Sequence, residues 1–193
     1  MAVQTSEARI KKGLKMILRP GQVVELRALG VPVDNGLRTI NGFYDDVDML
    51  AEAAAHLVKE GARGVYFTPN PLRKDISANQ RNNIGLARRG SSAKDTDVEE
   101  IRWLLIDVDP SRPVNTSSNA REKENALVVI GKIRAFLESQ GWPQPLFGDS
   151  GNGYHLMYEV EGLTADLHRQ ILEYLAFRFS RDALAVVDQS VYN

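Results

Sequence analysis

The sequence predicts an α+β fold, with a small N-terminal α/β module over residues 1–98 packed on a C-terminal βαββαβ module over residues 99–193. Three observations predict it. From residue 101 onward, short apolar runs and two helix-periodic stretches follow one another as strand, helix, strand, strand, helix, strand. Residues 5–70 carry helix and strand patterns of their own. Between the two, residues 71–94 lose all periodicity and hold six basic residues against a single acid, Asp75.

Composition narrows the function classes. With 43% hydrophobic and 25% charged residues the chain reads as an ordinary globular protein. It has no cysteine, which excludes disulfides and thiolate zinc sites and makes the cytoplasm the expected location. No secretory signal and no apolar run long enough to span a bilayer is present, so no membrane partner is expected. The formal net charge is −1, so any nucleic-acid binding must come from a local patch.

Taken in order, Ile10, Leu14, Ile17 and Leu18 recur at helical spacing over residues 5–18, before Pro20. Val23–Leu29 alternates as a strand, with Glu25 and Arg27 on the face opposite Val24 and Leu26. Asp34-Asn35-Gly36 is a turn signal, and Leu37–Tyr44 reads as the returning strand. Asp45 or Asp46 caps a helix over 47–60, closed by Gly61, and Val65–Phe67 is a short strand. Residues 71–94, with Asn79, Asn82, Asn83, Gly85 and Gly90, read as a basic loop, either a solvated linker or a phosphate-attracting surface. Trp103–Val108 then reads as a buried strand, 120–140 as a helix and Pro145–Gly148 as a strand. Ser150–Gly153 is a glycine turn, Tyr154–Val160 a strand, Ala165–Ser180 a helix and Ala185–Val191 a final strand. This is the split βαβ arrangement of ferredoxin-like and RNA-recognition-motif (RRM) sheets.

That topology has a geometric consequence. The first and third strands of the module become antiparallel neighbours, with the fourth flanking the first. Asp107 and Asp109, at the end of the first strand, should then lie beside the 150–153 turn, His155 and Asp188. Asp107 and Asp109 are two apart, so in a strand they share a face. Adjacent carboxylates repel, and hard oxygen donors suit Mg²⁺ or Mn²⁺. Asp107, Asp109 and Asp188 are therefore the expected catalytic residues and metal ligands, in a two-metal site able to activate a 3′-hydroxyl. Ser150, Gly151, Asn152, Gly153 and His155 are either candidate anion donors, the glycines allowing close backbone approach, or a plain hairpin turn with a packed histidine. Arg112 can reach a phosphate or form a plain ion pair with a neighbouring acid. His56 and His168 sit in helix patterns and read as structural or exposed. No histidine pair has metal-ligand spacing. Tyr66, Phe67 and Tyr154 read as core or turn residues.

Together these motifs resemble the archaeo-eukaryotic primase superfamily, in particular its bacterial, plasmid and phage primase–polymerase branch. The ordered set is Leu105-Ile106-Asp107-Val108-Asp109, then Gly153-Tyr154-His155, then Val187-Asp188. The longer strings Asp107–Pro113, Asp149–Leu156 and Val187–Asn193 also look like that branch, as do Val24–Arg27 and Tyr66–Pro71 upstream. The resemblance covers most of the chain from about residue 20. It implies a primase–polymerase catalytic core, a DNA primase or DNA-directed polymerase joining nucleoside triphosphates with Mg²⁺ or Mn²⁺. It implies that His155, Ser150 and the turn amides hold the triphosphate, with Arg112 and Asn70 in the nucleotide site. Arg73, Lys74, Arg81, Arg88, Arg89 and Lys94 would track template or initiating-nucleotide phosphates. The implied partners are template DNA, a primer or initiating nucleotide, dNTP or NTP, and a helicase or primer-binding region beyond Asn193, where the catalytic module is expected to be truncated. Two other readings stay open at this point. One is a template-independent nucleotidyl transferase or cyclase on the same kind of sheet. The other is a non-enzymatic RRM-like nucleic-acid-binding module.

Overall fold

Two stretches of apolar periodicity, one on each side of residue 100, bury two separate cores. The computed structural model describes residues 6–34, 36–76, 81–113, 116–180 and 184–191. Among these residues it is α+β, with four α-helices and two four-stranded antiparallel sheets. The chain divides into two units, Met1–Glu100 and Ile101–Asn193.

In the first unit, α1 (Ser6–Ile17) buries Leu14 and is followed by buried Leu18. β1 (Val24–Val33) and β2 (Gly36–Tyr44) form a hairpin that pairs Val33 with Gly36. Asn35, at the centre of the turn signal, lies outside the described residues. β1 runs past the expected Leu29 because a bulge between Ala28 and Val31, with Gly30 at φ +63°, bends the strand without ending it. α2 (Val47–Lys59) starts at Asp46, whose Oδ1 accepts from the Asp48 and Met49 amides at 2.8 and 3.0 Å. Its Leu50, Ala51, Ala54 and Leu57 share a core with Val24, Leu26 and Ala28 of β1. β3 (Gly64–Phe67) and β4 (Gly85–Leu86) complete the order β3-β1-β2-β4.

The 71–94 stretch is not a free loop. Leu72 bridges both Val23 and Val98, and Gly85–Leu86 pairs with Ile40 and Asn41 of β2. Val23, Phe43 and Leu72 form a small apolar cluster with Ile76, Ala93 and Val98. These apolar residues are spread irregularly over some 75 positions, so no period announces them. Asn79 of this stretch lies outside the described residues.

In the second unit, β5 (Ile101–Pro110) is followed by α3 (Ala120–Ser139), β6 (Leu146–Asp149), β7 (Tyr154–Leu163), α4 (Ala165–Phe179) and β8 (Ala185–Val187). The strand order is β6-β7-β5-β8, so β5 lies between β7 and β8, antiparallel to both. Leu104, Ile106 and Val108 of β5, with Leu156 and Tyr158 of β7, pack against Ala126, Val129, Ile130 and Ile133 of α3 and Leu172 and Leu175 of α4. A reciprocal cap fixes the start of α3: Asn119 Oδ1 accepts from the Glu122 amide at 3.0 Å, and Glu122 Oε2 accepts from the Asn119 amide at 2.8 Å. β8 is shorter than the sequence predicts. It ends at Val187 because Asp188 Oδ1 accepts from the Ser190 amide at 2.8 Å, closing a turn where the strand was expected to continue. Tyr192 and Asn193 lie outside the described residues. No helix among those described is long and apolar enough to cross a membrane.

Ile133 is fully buried at the centre of this core. Ile133→Ala is expected to cost about 2–5 kcal/mol of unfolding free energy, read from the urea midpoint at unchanged m-value.

Candidate functional site

Alternation along β5 sends Leu104, Ile106 and Val108 into the helix-covered core, which leaves Asp107 and Asp109 on the opposite face. The register with β7 pairs Asp107 with His155 and Val108 with Tyr154. On the other side, β8 pairs Val186 with Asp109, and the Asp188 amide donates to the Asp107 carbonyl at 2.9 Å. Three acids and one histidine, distant in sequence, therefore reach one edge of one sheet.

The charges at this edge are only partly compensated. His155 Nε2 lies 3.1 Å from Asp107 Oδ1, and the Asp107 side chain is only 17% exposed. The contact lies off the hydrogen-bond line, so this enclosed carboxylate oxygen has no in-line donor among the described residues. Asp107 against the ring, with Asp109 and Asp149 further off, holds the His155 imidazole above its ordinary value and outweighs burial. Burial, and next the neighbouring Asp107, push the Asp109 carboxyl up; Arg112 and His155 oppose the shift, and Asp188 adds to it. Arg112 Nη2 lies 4.0 Å from Asp109 Oδ1, so the ion pair left open by the sequence is present. Its Nη1 donates to the Thr116 carbonyl.

The glycine turn is fitted against this edge. A Cβ at Gly153 would collide with the Val108 carbonyl oxygen and stand 2.7 Å from Asp109 Oδ1. Gly151 takes φ +92°. The turn's own groups satisfy most of its amides: Gly151 N–H donates to Asp149 Oδ1 at 2.7 Å, Gly153 N–H to Ser150 Oγ at 2.9 Å and Ser150 N–H to the Gly153 carbonyl at 3.1 Å. The Asn152 amide is left without an acceptor among the described residues, so the turn offers an anion fewer free donors than its glycines suggested. Asn152 Oδ1 accepts from the Ser118 amide at 3.2 Å.

Sequence reasoning missed the groups that brace this turn. Lys123 of α3 donates to both oxygens of Asp149 at 2.8 Å and sits over the Tyr154 ring, 5.3 Å from its centroid. The pair lowers the Asp149 carboxyl from its ordinary value and raises the Lys123 ammonium. Tyr154 also stacks on Phe147 at 5.4 Å. Lys123 sits in an unremarkable helix pattern, and only the packing of α3 brings it here.

Asp107, Asp109 and Asp188 do not form a ready ligand set. Among the described residues no group of three or more His, Cys, Asp or Glu side chains is arranged to hold a metal ion. Asp188 Oδ1 is engaged by the Ser190 amide and hydroxyl at 2.8 and 2.7 Å. The donor chemistry of the other two still suits a hard divalent cation, since Asp107 presents an oxygen with no in-line donor and Asp109 sits amid like charge.

The remaining expected site residues lie in the first unit. Asn70 is buried there. Arg73 is 3.4 Å from Asp97 and 3.5 Å from Asp75. Arg81 donates to the Lys74 carbonyl at 2.7 Å and lies 3.7 Å from Asp45. Lys74, Arg88, Arg89 and Lys94 are exposed and have no acidic partner among the described residues. Tyr66, expected in core or turn, is 58% exposed, whereas Phe67 and Tyr154 pack on their cores. His56 is exposed, and His168 is buried with Nε2 3.3 Å from the Leu105 carbonyl.

Gly153→Ala is expected to cost about 1–3 kcal/mol in urea unfolding, because backbone cannot yield to the added methyl. At Gly148 a Cβ would meet only His155 Cβ at 3.8 Å, so Gly148→Ala should change stability by less than about 0.5 kcal/mol. The His155 ring should titrate above 6.5 by NMR in metal-free buffer, and Asp107→Asn should bring it back down. The sign follows from the raised value: the pair's stabilisation is fully present below the unfolded value and fades as pH rises through the folded one. Comparison with family models, with curated proteins and with solved structures gave no match.

Proposed function

We propose that this chain performs template-directed nucleotidyl transfer, as the catalytic core of a DNA primase or polymerase of the archaeo-eukaryotic primase type on an RRM-like sheet. The observation that carries the proposal is the cross-strand placement of Asp107 against His155, with Asp109 beside the Gly153 turn. The ordered sequence motifs add to it, and so does the only partly compensated negative charge at this edge.

In this reading Asp107 and Asp109, with Asp188 after its turn to Ser190 opens, hold Mg²⁺ or Mn²⁺. Such ions, when bound, favour ionisation of a 3′-hydroxyl and neutralise charge on the phosphoryl group. The 3′-oxygen bonds to the α-phosphorus as its proton passes to solvent water, the bond from the α-phosphorus to the bridging oxygen breaks, and pyrophosphate leaves with that electron pair. His155 swings from Asp107 to donate its Nε2–H to a triphosphate oxygen. The Asn152 amide donates beside it, and Arg112, already next to Asp109, balances charge as the phosphates arrive. Lys123 and Asp149 keep the turn in place. Template DNA, a primer or initiating nucleotide and a nucleoside triphosphate are the substrates.

The test is primer extension with and without template DNA. The double substitution Asp107→Ala/Asp109→Ala is expected to reduce extension by more than about 10³-fold, and wild-type product should follow the template. Undiminished extension by the double variant overturns the proposal. Equal product without template moves the assignment to a template-independent transferase. His155→Ala should weaken fluorescent nucleotide binding by roughly tenfold, the loss of one charge-assisted hydrogen bond.

A further inference from the structure

The first unit holds a cleft of about 970 Å³ beside β2 and β4, walled by the segment that follows β4. Arg38, Arg88 and Lys94 line it, together with Asn83, Thr96 and the exposed Leu86. All three cations are exposed and none has an acidic partner among the described residues. The one acid on the cleft wall, Asp97, is already paired with Arg73 and accepts from the Lys94 amide at 2.8 Å.

The cleft is a built feature. Beneath it Glu25 is 1% exposed, and its two oxygens accept four hydrogen bonds from three residues: Asn41 Nδ2 at 2.9 Å, the Ala93 amide at 3.0 Å, and Arg27 Nη2 at 2.7 Å and Nε at 3.4 Å. Asn41 Nδ2 also donates to the Ser91 carbonyl at 3.1 Å. The Ala87 amide donates to the Thr39 carbonyl at 2.9 Å. A buried carboxylate is costly to desolvate, and here it tethers the segment carrying Arg88 and Lys94 to the sheet carrying Arg38. The three cations are thus held around one open cavity with their charge unspent.

We propose that this cleft binds the sugar–phosphate backbone of a single-stranded nucleic acid, with phosphates at Arg38, Arg88 and Lys94 and a base face against Leu86. Arginine forks match phosphate oxygens in pairs, and the apolar wall accepts a base without reading its sequence. The choice of nucleic acid over an acidic peptide rests on the proposed nucleotidyl transfer by the second unit. Arg38, which lies far from the basic stretch in sequence, enters the surface, whereas Arg73 and Arg81 are occupied elsewhere.

The test measures fluorescence anisotropy of a labelled oligothymidylate of about 12 nucleotides on the full chain across a salt series. The variant Arg38→Ala/Arg88→Ala/Lys94→Ala should lose at least about 30-fold in affinity at low salt. Its log–log salt slope should fall by about 2, since each lost phosphate contact removes roughly 0.7 on a single strand. A control with equal charge loss, Lys12→Ala/Lys59→Ala/Lys132→Ala, should stay within about threefold of wild type. Thermal melting checks that both variants fold. Wild-type affinity in the cleft variant, or an equal fall in the control, overturns the proposal. Tight binding of a polyglutamate peptide that the cleft variant abolishes, with no oligonucleotide binding, overturns it in favour of an acidic-peptide surface. The Asp107→Ala/Asp109→Ala protein should still bind the oligonucleotide. Extension that survives in that protein defeats the proposed activity alone, and the cleft is judged by oligonucleotide binding.

Discussion

The antiparallel register between β5 and β7 is the constraint on which the second unit depends. It pairs Ile106 with Leu156 on the covered face and Asp107 with His155 on the other. A slip of one residue would send Asp107 and Asp109 toward Ile130 and Ile133 and expose Ile106 and Val108. Burying two carboxylates among aliphatic side chains is prohibitive, so the hydrophobic core enforces the register and the register places the acids. The short β8 adds to this by pairing Ala185 and Val187 with Pro110 and Val108, which brings Asp188 level with Asp107.

The edge so formed is locally unfavourable. Asp109 sits where burial and two like charges all oppose its ionisation. Gly153 is pressed so closely on it that the backbone leaves no space for a side chain. His155 offsets part of the charge at Asp107, and Arg112 does so at Asp109. Such a concentration of like charge contributes nothing to folding. In the proposed reading, this concentration of carboxylates at a strand end, beside a turn braced by Lys123 and Asp149, suits a cationic ligand.

The first unit uses a buried acid differently. Glu25 is enclosed and fully engaged, so its charge orders the chain. It fastens a stretch poor in apolar residues, which has too little hydrophobic surface to hold itself on the sheet. Strand alternation in the sequence places Glu25 and Arg27 on the face opposite Val24 and Leu26 and says nothing of what covers that face. The Ala93 amide and the Ser91 carbonyl, some 66 to 68 positions away from Glu25, make it an interior one.

The sequence by itself determined the elements whose information is local. Ile130 and Ile133 mark the buried side of α3 by helical spacing, Asn119 and Glu122 spell its cap, and Asp107 and Asp109 share a face because a strand repeats every two residues. The neighbours of β5 were also legible, because alternating strands and helices leave few ways to close one antiparallel sheet. Only the tertiary structure decided that Asp188 turns back to Ser190, that the glycine turn spends most of its amides on itself, and that Lys123 braces Asp149. It also decided which cations are spent on ion pairs and which, among the described residues, line the cleft with no acidic partner. These outcomes are competitions for hydrogen-bond partners among groups brought together from distant parts of the chain, and periodicity carries no information about such partners.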